Sequence, residues 1–172
     1  MSLGIILADK SLKPSQKPGL LSKILLENPQ SIDELIQLAV KAKDADKANC
    51  IEAMEHATLS NPGIATEACF DLAVESLASI APRVKWESAR LIANIAHLFA
   101  GRLPEAVPNL LANTEHTGTV VRWSAAIALA AILKLKTALN KELLPAFSAI
   151  AEREEKNSIR KIYLEAIKKA GK

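Results

Sequence analysis

The sequence predicts an all-α fold in which helix pairs stack side by side into a solenoid, and three observations lead there. The first is composition: of 172 residues, 49% are hydrophobic but only 3% aromatic, with 6 Gly. Alanine, leucine, isoleucine, lysine and glutamate dominate, and such residues favour closely packed helices over sheets. The second is that apolar positions recur at helical spacing between short breaks. The third is self-similarity. Val84-Lys85-Trp86 returns as Val121-Arg122-Trp123 at an offset of 37 residues, which also pairs Ala89 with Ala126, Ala93 with Ala130 and Ile95 with Ile132. A shift of 38 carries Val121-Arg122 onto Ile159-Arg160, and the same step backward places Lys85 on Lys47. Two helices per roughly 37 residues is the signature of a stacked helical repeat.

Residues 1–19 read as an irregular lead-in, broken by Pro14 and Pro18. Leu20–Glu27 predicts a short capping helix closed by Asn28-Pro29. Ser31 opens a capping box with Glu34, starting a helix that runs to about Ala42. Helix and loop then alternate to the end, with breaks at Asn61-Pro62-Gly63, Ala81-Pro82, Gly101 to Pro104, Thr117-Gly118, and around Asn140 and Asn157. Residues 20–172 are thus expected to form one domain, with repeats near 31–63, 64–101, 102–138 and 139–171.

Val121-Arg122, Ala125-Ala126, Ala128-Leu129 and Ile132 together resemble the second helix of a HEAT repeat. Leu103 to Leu111 (Leu-Pro-Glu-Ala-Val-Pro-Asn-Leu-Leu) looks like the first helix of the same unit. The resemblance, to the armadillo-like HEAT family and its bacterial-type repeats, covers about residues 31–171. It implies a right-handed α-α superhelix of about four helix pairs whose second helices line the concave side. The loop aspartate common in that family is missing before Arg83, with Glu115 or Glu154 standing in elsewhere. A regular ladder between loop acids and Lys47, Lys85, Arg122 and Arg160 is therefore not expected.

A helix turns about 100° per residue, which assigns faces directly. Val84, Ser88, Leu91, Ile95 and Phe99 fall on one side of the second helix of repeat two, with Trp86, Arg90, Ala93 and His97 nearly opposite. Repeat three divides likewise: Val121, Ala125, Ala128 and Ile132 against Trp123, Ile127, Ala130 and Lys134. The aliphatic groups form the core seam. With the resemblance, the opposite face becomes a groove with rows Ala48, Trp86, Trp123, Lys161; Glu52, Arg90, Ile127, Glu165; His56, Asn94, Ala131, Lys169; and Leu59, His97, Lys134, Lys172. Candidate binding residues are Trp86, Arg90, Asn94, His97, Trp123, Ile127, Lys134 and Lys161. Both tryptophans of the chain fall on one row, as binding hot spots do, although an indole also fills an alanine-rich groove structurally.

Other chemistry is sparse. Cys50 and Cys69 read as buried apolar residues, His56, His97 and His116 are not spaced for a metal, and no Gly-rich phosphate loop or nucleophile elbow is present. The net charge of +3 is concentrated at the two ends, unlike a uniform nucleic-acid stripe. No signal peptide or membrane span is evident, so a cytoplasmic location is expected. The leading expectation is a non-enzymatic scaffold, without cofactor, that holds a protein or peptide in its groove. Two alternatives stay open: a nucleic-acid-binding protein similar to the HEAT-like alkylated-DNA glycosylases, and one similar to the HEAT-like phycobilin lyases.

Overall fold

The computed structural model describes residues 2–171. Among them are ten α-helices and no strand: α1 (Leu3–Ala8), α2 (Lys17–Glu27), α3 (Ser31–Lys41), α4 (Asp44–Ser60), α5 (Glu67–Ser76), α6 (Pro82–Ile95), α7 (Val107–Asn113), α8 (Thr119–Lys134), α9 (Asn140–Arg153) and α10 (Asn157–Ala170). None is long and apolar enough to cross a membrane.

Four full pairs, from α3–α4 to α9–α10, follow a shorter pair, α1–α2. The expected irregular lead-in therefore contains a helix. Ser2 caps α1, its Oγ accepting the Ile5 N–H at 3.4 Å, and Leu3 and Ile6 are buried. Six residues are too few for a helix to persist alone, so packing rather than local preference forms this one. Pro18 does not break α2 but sits in its first turn, where a missing N–H costs nothing. The Lys17 ammonium ties the pair together by donating to the Leu7 carbonyl at 2.5 Å. The Ser31 capping box is not formed. Gln30 holds the cap position with helical dihedrals and no side-chain bond, because the turn after α2 leads straight into α3.

The second helices α2, α4, α6, α8 and α10 pack on one another in an unbroken row, whereas the first helices of successive pairs touch sparsely. Elements closer together on one side must bend the stack toward that side, so the second helices line its inside. Their seam is the predicted one: Val84, Ser88, Leu91 and Ile95 of α6, and Val121, Ala125, Ala128 and Ile132 of α8, are all buried. Each fully buried aliphatic side chain contributes about 1.5–3 kcal/mol. Ala89 and Ala96 are also buried, and their small size permits close approach between pairs. Cys50 and Cys69 lie in this core unbridged, and burial pushes each thiol up to about 12.

Two prolines divide a segment expected to be one helix. Leu103–Leu111 begins in a 3-10 turn, Ala100–Glu105, and becomes α-helical only at Val107. Neither proline has an N–H to donate: Pro108 sits in the first turn of α7, where none is needed, whereas Pro104 lies inside the 3-10 turn. The loop ladder is irregular. Arg122 grips Glu154 through Nε (3.0 Å) and Nη2 (3.3 Å), and Arg160 instead donates to the Glu154 carbonyl at 2.8 and 2.9 Å. Burial pushes the Glu154 carboxyl up, but Arg122 and the Lys156 N–H outweigh that and hold it below the ordinary value. Lys85 reaches the Leu77 carbonyl (3.1 Å) and Asn113 Oδ1 (2.9 Å).

Ile95 and Ile132 fill equivalent sites with no exposed surface. Replacing either with alanine should lower unfolding free energy by about 2–5 kcal/mol in denaturant melts, through lost transfer energy and a residual cavity. A change well under 1 kcal/mol would mean that the seam does not hold the stack together.

Candidate binding groove

The inner face of the second-helix row carries most of the predicted site, but its two halves differ in chemistry. Trp86 on α6 is half-buried, and Trp123 at the matching position on α8 is 38% exposed. These helices pack directly on each other, so the indoles occupy neighbouring positions on one face. Ala48, placed on the same row, is only 1% exposed. A methyl group on α4, flanked by α2 and α6, does not reach past its neighbours as an indole does. Lys161 is exposed on α10, and Lys172 lies outside the described residues.

Around Trp86 the groove is a charged network. Arg90 Nη2 meets Glu55 Oε1 at 3.0 Å, and its Nη1 lies 3.7 Å from Glu87 Oε2. The indole N–H of Trp86 donates to Glu87 Oε1 at 2.7 Å. Arg83 pairs with Glu52 and donates to Asn49 Oδ1 at 2.9 Å. His56 Nε2 stands 3.7 Å from Glu52 and 3.5 Å from Glu55. Asn94 is not free for a ligand, because its amide donates to the Glu55 carbonyl (2.9 Å) and Thr58 Oγ1 (3.2 Å). Arg90, expected to select acidic neighbours, is already engaged by two carboxylates. Three carboxylates thus face two guanidinium groups.

Glu55 and Glu87 are nearly inaccessible, at 2% and 4% exposure, and each keeps one oxygen, Oε2, without a hydrogen bond. Burial raises the Glu87 carboxyl above its ordinary value, with the Trp86 N–H acting in the opposite sense. Neither acid was among the predicted site residues. A signal existed for Glu55: the repeat offsets align it with Ala93 and Ala130, so it is a charge in an alanine column. Its counter-charge, Arg90, comes from the next helix, which periodicity within one helix does not reveal.

The other half of the groove is apolar. A pocket of about 340 Å³ opens between α8 and α10. Its wall contains Ile127, Ala130 and Ala131 from α8 and Ile162, Ala166 and Ala170 from α10, with Lys134, Lys136, Lys169 and Glu165 also lining it. Of the predicted residues, Ile127 and Lys134 belong to it, and Ile127 is one helical turn beyond Trp123. His97 lies past the end of α6 in a 3-10 turn, Ala96–Leu98, where it is exposed. No group of three or more His, Cys, Asp or Glu side chains suited to a metal occurs among the described residues.

This architecture is an armadillo/HEAT-like α-solenoid. Solved structures share it across nearly the whole chain. A designed armadillo repeat protein in complex with the peptide (KR)4 aligns with a TM-score of 0.71 at 18% identity, covering 96% of this chain and 80% of that one. Computationally designed armadillo repeat proteins for modular peptide recognition align at 0.70 and 17% identity, covering 97% and 80%. A further engineered protein aligns at 0.74 and 17% identity, covering 98% and 79%. No family model and no curated protein sequence matches the chain.

The raised pKa of Glu87 has a definite sign in stability. Its protonated form is favoured more in the folded than in the unfolded chain, so no penalty exists below the ordinary glutamate value near 4.5. The penalty develops as pH rises through the raised folded value. Glu87→Gln, which retains an oxygen for the Trp86 N–H, should match wild type at low pH and gain relative stability toward neutral pH. Thermal melts from pH 4 to pH 8 would measure that gap, and a gap independent of pH would refute the assignment.

Proposed function

We propose that this protein is a non-enzymatic interaction scaffold whose second-helix groove holds a peptide or protein segment. The observation that carries the reading is the pair of partly exposed tryptophans at one repeat position, continuous with the apolar pocket between α8 and α10. Large aromatics at the centre of a groove supply much contact area for little conformational entropy. The pocket volume falls in the range of roughly 300–1,000 Å³ typical of ligand sites. The structural neighbours support the class of activity, since one designed armadillo repeat protein is in complex with the peptide (KR)4 and others were designed for modular peptide recognition. Glu52, Glu55 and Glu87 argue against a phosphate backbone along the groove, because excess negative charge repels it. Nothing on this surface favours a tetrapyrrole.

The two tryptophans are the only ones in the chain, so intrinsic fluorescence reports on the groove alone. Acrylamide should quench Trp123 more than Trp86 in the free protein, and a bound segment should protect both. Trp86→Ala/Trp123→Ala should weaken binding by about 2 kcal/mol or more, as hot-spot truncations do. Trp123→Ala alone should leave thermal stability near wild type. Unquenchable, blue-shifted emission with unimpaired binding by the double variant would overturn the reading.

A further inference from the structure

We propose that the α8–α10 pocket is the anchor subsite of the groove and takes a large apolar side chain from an acidic peptide segment, giving the bound segment a fixed direction. This deepens the scaffold reading and rests on it. The first observation is shape. Small residues, Ala130, Ala131 and Ala166, leave space between two packed helices. At the position of Ala130 the first repeat has Glu55, paired with Arg90, and at the position of Ala131 the second repeat has Asn94, whose amide donates to the Glu55 carbonyl. The cavity is therefore a local feature of the last two pairs rather than a property of every repeat.

The second observation is charge. Lys134, Lys136 and Lys169 line the pocket against a single carboxylate, Glu165. No ion pair involves these three lysines among the described residues. Their ammonium groups are thus available to a ligand. The arginines of the α4–α6 half are already matched by buried or half-buried carboxylates. The groove runs from a net negative end, which includes Trp86, to a net positive end, with Trp123 on the helix between them. A segment with acidic residues beside an apolar anchor is complementary only when that part lies over α8–α10. Reversal would set its carboxylates on Glu52, Glu55 and Glu87, and like charges brought together across an interface discriminate strongly.

Selection of a displayed random 16-residue peptide library on the full chain tests this without presupposing a sequence. The enriched peptides should combine Asp or Glu with Leu, Ile, Phe or Trp. A synthetic copy of the most enriched peptide should bind Lys134→Glu/Lys169→Glu at least tenfold more weakly than wild type. Ala131→Gln, which puts an amide into the pocket, should also weaken it, and circular dichroism melts should show both variants folded. Binding should weaken as salt rises from 50 to 300 mM. Enrichment of basic peptides, or equal binding by both variants, would overturn the anchor subsite. If such peptides still protected the tryptophans from acrylamide, the groove reading would survive that failure. If enriched peptides bound Trp86→Ala/Trp123→Ala as tightly as wild type without protecting the wild-type indoles, the groove reading itself would fail. Saturable binding of decanoate in the pocket, with no peptide enriched, would identify a small amphiphile site and overturn the peptide proposal.

Discussion

Helix against helix along the inner row is the constraint on which everything else depends. Helices α6 and α8 pack on their own first helices but far more on the second helices of neighbouring pairs, so no pair in the interior of the stack is a complete core. The same contact sets the spacing of the inner face. It places one indole beside the position of the next, and brings the counter-charge for Glu55 from a different helix. Groove chemistry and stack stability are therefore two faces of the same helices. A substitution that spreads the second helices apart disturbs both.

Much of this was legible because the repeat supplies its own internal comparison. The seam positions of α6 and α8 follow from helical period alone, and matching positions agree between repeats. Three features were not legible, each for a physical reason. Helix α1 is held by tertiary packing that local preference does not encode. The Arg90–Glu55 pair joins residues 35 positions apart, so its partners are invisible to a reading of either helix by itself. The pocket is a deficit of volume, created by alanines on two helices at once, and each alanine in isolation signals only close packing.

The buried acids of the α4–α6 half illustrate how a solenoid localises difference on a repeating frame. An exposed ion pair contributes little, and a buried one brings desolvation costs that are often not recovered. Glu55 and Glu87 each retain an oxygen with no hydrogen bond, so this network is not an optimised source of stability. What it provides is individuality. It fills with charge the sites where repeat three has Ala130 and Ser124, and leaves the two halves of one groove chemically unlike.

The indole bond to Glu87 separates two tryptophans that sequence makes look equivalent. The Trp86 N–H is committed to a carboxylate already short of partners, whereas no hydrogen bond restrains the Trp123 indole among the described residues, and the residue following it is Ser124. Position 123 is consequently free to drift: phenylalanine, tyrosine or leucine there alters contact area and little else. Position 86 is not, since any side chain without a donor strands a second oxygen of Glu87 out of reach of water. A lineage changing its ligand would vary the aromatic on α8 first and change the one on α6 only together with its acid.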